Sequence, residues 1–195
     1  MPKPRVAAIL VALVLLSCPR FATAQDAAKV ELFGGYSYMP LEALPDFHGF
    51  GVSVTGNWNR SLGFTADFSA HFATERPSSL VGPPPPQSRS ELRGYFMHFG
   101  PQFRFLRRGR FQPFGHALLG LSHRSLRVIA SGVPSTLAVD DTGFSTALGG
   151  GFDIQVNHRV AIRAVRADYL FSRLGNVSHH DFRYATGIVV RFGKR

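Results

Sequence analysis

Beyond its first two dozen residues the chain alternates apolar and polar positions in segments of roughly ten, the length and period of a membrane-crossing β-strand. In Gly49–Asn59, Phe50, Val52, Val54 and Trp58 share one face while Gly51, Ser53, Thr55 and Asn57 take the other. Leu62–Thr74 sets Leu62, Phe64, Ala66, Phe68, Ala70 and Phe72 against Gly63, Thr65, Asp67, Ser69 and His71. The same rule predicts strands over Val30–Met39, Glu91–Phe105, Phe111–Leu126, Thr142–Val156, Val160–Phe171 and Phe182–Phe192. The count is eight. Val160–Phe171 is the irregular one, with Arg163 and Asp168 on opposite parities, so a bulge is expected between them.

The connections sort by length. Short turns are expected at 57–61, 106–110 and 157–159, and longer segments rich in Pro, Ser, Gly and charge at 40–48, 75–90, 127–141 and 173–181. Long and short connections that strictly alternate suit an up-and-down barrel with one set on each side of a membrane. Lipid offers no partner for free backbone groups, so the strands must pair all round and close. The fold class is therefore all-β: an eight-stranded antiparallel up-and-down transmembrane β-barrel. Gly34-Gly35 and Gly149-Gly150-Gly151 lie inside strands, where a tightly curved wall and a crowded lumen favour small residues.

Composition and the N-terminus add a destination. The 195 residues include 18 Phe and a single Trp, and only 17% are charged, which excludes a disordered chain. Lys3 and Arg5 precede the apolar run Val6–Leu16, and Ala22-Thr23-Ala24 follows it. This is the three-part form of a secretory signal peptide, too short to stay as a spanning helix. The expected organisation is a signal peptide over 1–24 and one barrel domain over 25–195. Cys18, the only cysteine, falls inside the signal, so no disulfide is expected in the mature domain. Leu15-Leu16-Ser17-Cys18 offers an alternative lipidation site. The net charge of +10 becomes +7 once the signal is removed.

Four stretches carry a family likeness: Val30–Tyr38 (VELFGGYSY), His98–Phe105 (HFGPQFRF), Arg163–Tyr169 (RAVRADY) and Thr186–Phe192 (TGIVVRF). Together the chain from Lys29 to Phe192 resembles the small bacterial outer-membrane β-barrel proteins, the family that includes the OmpA transmembrane domain. The resemblance implies insertion in the outer membrane among lipid and lipopolysaccharide. It also implies that the barrel-assembly machinery reads a closing aromatic. Phe192 resembles that aromatic, although Gly193-Lys194-Arg195 follow it.

Candidate chemistry is sparse. Glu31, Asp67, His71, His98, Arg104, Asp153, Arg183 and Arg191 fall on inward parities, where a narrow barrel fills its lumen with paired side chains. His123 and Ser125 share a face near the outer end of the fifth strand, with Asp140 or Asp141 as the only available acid. That spacing resembles the catalytic His and Ser of the lipid A deacylase family, which would imply a lipid A-modifying hydrolase. His179-His180-Asp181 makes a poor metal site, because neighbours on a strand point to opposite faces. Pro83–Pro86 stiffens the second long loop, and Arg89, Arg93, Arg124 and Arg127 gather where lipopolysaccharide phosphates would lie. The expectation is no catalytic, cofactor-binding or metal residue, no cofactor and no nucleic-acid partner. The reading is a monomeric, non-enzymatic barrel with a structural or surface-interaction role. The His123/Ser125 hydrolase and a narrow channel are the alternatives.

Overall fold

A computed structural model describes residues 28–41, 46–75, 89–105, 109–129, 137–175 and 177–193. Eight antiparallel strands close into one barrel, each paired to its sequence neighbours and β1 to β8. They are β1 Val30–Met39, β2 Phe47–Asn57, β3 Leu62–Glu75, β4 Arg89–Arg104, β5 Phe111–Ile129, β6 Leu137–Gln155, β7 Val160–Leu174 and β8 Val177–Phe192. The outer wall carries the apolar parity of each strand, with Val52, Phe64, Phe99, Leu119, Leu148, Phe182 and Ile188 all exposed for lipid. The opposite parity is buried and largely polar. The barrel is thus inverted relative to a soluble one.

Two of the short turns use the same device. Asn59 accepts the backbone N–H of Ser61 and Leu62 at 2.8 and 2.7 Å. Asn157 accepts those of Arg159 and Val160, both at 2.9 Å. An Asn at that position imitates a backbone turn and closes the hairpin in four residues. The segments Trp58-Asn59-Arg60-Ser61 and Val156-Asn157-His158-Arg159 are therefore equivalent corners of the barrel.

The expected bulge is present. Arg163 pairs with Gly187 and Arg166 with Ala185, so one residue more is spent on β7 than on β8. On the other side Asp153 pairs with Arg163 and Phe152 with Val165, which leaves Ala164 as the extra residue. Parity reverses across it, and Arg163, Arg166 and Asp168 all end up buried.

Strand ends differ from the sequence expectation at the long-loop side. β8 begins at Val177 rather than Phe182, and β7 runs to Leu174, so the expected loop 173–181 is a tight turn at Gly175, whose φ is +54°. Strands β5 and β6 extend to Ile129 and from Leu137, shrinking the loop 127–141 to seven residues. β6 pairs with β7 only as far as Phe144, so Leu137–Gly143 rise with β5 as a hairpin above the β7 wall. Above the lipid both faces of a strand are wet, and alternation is no longer demanded. At the other end β2 stops at Asn57 and the turn takes Trp58 and Asn59. Residues 1–27, including Cys18, and the prolines 83–86 lie outside the described residues.

Candidate functional site

The lumen is built in three layers. Nearest the short turns, Asp153 accepts from Arg104 at 3.0 Å and from Arg163 at 2.8 Å. Glu31 pairs with Arg104 and accepts from Asn57 at 3.1 Å, while Arg191 lies 3.7 Å from Glu31 and 3.6 Å from Asp153. Arg163 also sits over the rings of Phe33 and Phe114, at 4.6 and 4.1 Å from their centroids. Both phenylalanines occupy the inward parity, so the guanidinium is sandwiched as well as paired.

In the middle layer two carboxylates and two guanidiniums alternate in a ring. Arg166 donates to Asp67 at 2.5 Å and pairs with Asp168 at 2.8 Å. Arg183 donates to Asp67 at 2.9 Å and to Asp168 at 2.6 Å. His116 bonds Asp168 at 2.9 Å, and Ser69 accepts from Arg183 at 2.6 Å. All four charged residues are at most 3% exposed. Buried charges of this kind persist only when each is paired and hydrogen-bonded, and here each is.

The third layer is apolar. Met39, Phe47, Leu92, Phe96, Leu118 and Leu170 pack together towards the long-loop end. His71 lies among them, stacked on Phe47, edge-on to Phe96 and bonded to Ser37 at 2.8 Å. Above this layer Arg124 pairs with Asp181 and lies 5.8 Å over Phe96. The three layers follow one another along the lumen from the short-turn end towards the long-loop end.

All eight residues expected inside are buried, and the structure joins six of them, the carboxylates and guanidiniums, into the first two layers. The inward set read from the sequence omits four residues that the first two layers use: Arg163, Arg166, Asp168 and His116. His116 stands on the parity opposite Ala117, Leu119 and Leu121, and that signal was available. Arg166 was hidden by the bulge, which inverts its face.

The outer rim separates what the sequence placed together. His123 and Ser125 do share the outer face, and Asp140 stands cross-strand from Ser125. The His123 imidazole, however, is bonded through Nδ1 to Thr142 Oγ1 at 2.7 Å and stacked on Tyr95. Asp141 is opposite Arg124 on the inward parity. Among the described residues no carboxylate orients His123. Of the four rim arginines, Arg124 turns inward to Asp181, which corrects its expected place beside lipopolysaccharide. Arg93 pairs with Glu91 at 3.3 Å, Arg127 is exposed, and the Arg89 side chain lies outside the described residues. His179-His180-Asp181, expected in the last long loop, instead belong to β8, where His180 is bonded outside to Tyr169 while Asp181 faces in to Arg124. Tyr36 and His48 form a matching outer pair.

A family model for the outer membrane protein β-barrel domain matches residues 8–192. The chain belongs to that family. Membership places it in the bacterial outer membrane. Among solved structures, the attachment invasion locus protein Ail of Yersinia pestis is 17% identical, covers 87% of this chain and 100% of its own, and superimposes with a TM-score of 0.57. Ail has also been solved in complex with the heparin analogue sucrose octasulfate. Neisserial surface protein A is 17% identical over 84% of this chain and 96% of its own, with a TM-score of 0.56. OprG of Pseudomonas aeruginosa is 13% identical over 87% and 98%, with a TM-score of 0.54. At these identities the likeness is one of fold. Comparison with curated proteins gave no match.

Proposed function

We propose that this family member is a non-enzymatic, non-conducting barrel, monomeric in the outer membrane, with a structural or surface-interaction role in the envelope. The observation that carries the reading is the layered lumen, with buried paired charges at two levels and an apolar cluster above them. Two ion-paired layers and an apolar layer leave the wall and the rim as the surfaces available for work. The wall meets lipid, and at the outer rim Arg93, Arg127 and the Tyr–His pairs face the height of lipopolysaccharide headgroups. Export through removal of residues 1–24, and recognition of Phe192 by the assembly machinery, complete the reading.

Planar-bilayer recordings on the refolded protein test it directly. No unitary conductance is expected, and reproducible single-channel steps would overturn the sealed lumen. The hydrolase alternative has one favourable observation, the shared outer face of His123, Ser125 and Asp140. Lipid A from cells expressing the wild type and a His123→Ala/Ser125→Ala variant is expected to give one mass profile. A wild-type-dependent loss of an acyl chain would replace the present reading with the enzyme.

A further inference from the structure

The mature domain's positive charge is not shared between the two ends of the barrel. At the long-loop end the described acids Asp46, Glu91, Asp140, Asp141 and Asp181 offset Arg93, Arg124, Arg127 and Arg173. In the lumen the carboxylates and guanidiniums nearly cancel. At the short-turn end Lys29, Arg60, Arg110 and Arg159 are all exposed, and no exposed acid accompanies them among the described residues.

The cations are distributed around the circumference. Lys29 precedes β1, Arg60 lies between β2 and β3, Arg110 between β4 and β5, and Arg159 between β6 and β7. They also sit at one height. Trp58, Phe105, Phe111 and Phe192 form an exposed aromatic belt at this end, with Trp58 70% exposed. Aromatic belts mark the level of the headgroups. Arg60 and Arg110 lie two and one positions beyond the belt residues Trp58 and Phe111, Lys29 is tied to the belt by its N–H donating to the Phe192 carbonyl at 3.0 Å, and the Arg159 carbonyl accepts at 2.7 Å from the N–H of Arg191, the residue before Phe192.

We propose that this ring is a binding surface for the phosphates of anionic phospholipids in the periplasmic leaflet, the leaflet that the short turns of such barrels face. A soluble acidic partner would approach one side of the mouth, whereas a bilayer surrounds the barrel at a single height. Only the second geometry matches cations placed in every hairpin gap. A basic side chain near an anionic membrane surface strengthens its attraction by roughly fivefold. Guanidinium groups add paired donors for phosphate oxygens.

Trp58, the chain's single tryptophan, stands two residues from Arg60 and reports on this rim. The refolded full mature chain is placed in phosphatidylcholine vesicles containing a minor fraction of either brominated phosphatidylglycerol or brominated phosphatidylcholine. Quenching of Trp58 is expected to show several-fold enrichment of the anionic lipid at low salt. The enrichment falls towards unity in high salt, and in an Arg60→Gln/Arg110→Gln/Arg159→Gln variant whose folding is checked by heat-modifiable migration on a gel. Equal quenching of the wild type by the two lipids at low salt overturns the proposal, whatever the variant does. Enrichment unaffected by salt and by the substitutions overturns it as well.

Discussion

Asp168 is the residue on which the middle layer depends. It is 1% exposed and accepts from Arg183 at 2.6 and 3.0 Å, from Arg166 at 3.1 Å and from His116 at 2.9 Å. In Asp168→Asn the volume is unchanged, but two buried guanidiniums are left with Asp67 as their only nearby carboxylate. The new amide N–H₂ also faces donors where an acceptor stood. Removing one partner of a buried pair costs about 3–5 kcal/mol, because the remaining charge stays buried. The surface pair Arg93–Glu91, at 3.3 Å and half exposed on the arginine, supplies the contrast. Arg93→Gln should cost only about 0–1 kcal/mol. The assay is urea unfolding of the vesicle-inserted protein, followed by Trp58 fluorescence and by heat-modifiable migration. A second variant, Asp168→Asn with Arg166→Met, restores the balance of one guanidinium to one carboxylate. It should recover about 1–3 kcal/mol of the loss, as neighbours in one network do. An Asp168→Asn protein within about 1 kcal/mol of wild type would refute a ring held by paired charge. So would strict additivity in the double variant.

Two further outcomes follow from the same geometry and a third from the sequence. A Cβ added at Gly149 would lie 2.3 Å from Asp168 Oδ1 and 2.4 Å from the Ala167 carbonyl, so Gly149→Ala should cost about 1–3 kcal/mol in the same urea titration. Phe96→Ala should cost about 3–5 kcal/mol through the cavity it leaves, yet remain silent in planar bilayers because the ion-paired layers beneath still close the lumen. N-terminal sequencing of the protein recovered from outer membranes should begin at Gln25; an acylated chain beginning at Cys18 would show lipidation instead.

Much of this barrel was legible because lipid imposes one rule on every residue that it touches. Phe50, Val52 and Val54 take the lipid-facing side of their strand while Ser53 and Thr55 take the other, and the whole set of eight strands follows from such stretches. The buried network was legible for the same reason, since Glu31, Asp67 and Arg183 fall on the parity that lipid excludes. What escaped lay where the rule lapses. Above the membrane Ser178, His179 and His180 alternate nothing recognisable, so the first five residues of β8 read as a loop. Arg124 read as a surface charge because its partner Asp181 comes from a strand 57 positions away. The candidate site at His123 and Ser125 was placed on its correct face, but no sequence signal tells that Thr142 occupies the imidazole nitrogen a carboxylate would need.

The β7 bulge carries the last consequence. Were Ala164 held in a regular ladder, strict alternation after Arg163 would turn Arg166 and Asp168 outward, and an arginine at the membrane midplane costs about 2–4 kcal/mol in a barrel wall. The bulge absorbs Ala164 and so keeps the charges of one strand facing two layers of the lumen. Deleting Ala164 should make both ladders continuous: Asp153 keeps Arg163, Phe152 keeps Val165 and Gly151 keeps Arg166 on one side, while Gly187, Thr186 and Ala185 face three consecutive residues on the other. Every inward residue keeps its face, and the lost contact is the hydrogen bond from Thr186 Oγ1 to the Arg163 carbonyl at 3.0 Å. The expected outcome is a heat-modifiable barrel whose urea stability drops by about 1 kcal/mol, the typical worth of one hydrogen bond. Deleting Ala185 from unbulged β8 gives the opposite case. Either Arg183 or Arg191 must then turn into lipid, so this variant should fail to convert to the heat-modifiable form. The two deletions differ in length by nothing and in position by one strand. If they proved equally disruptive, or if only the Ala185 deletion folded, facing would not be what the bulge protects.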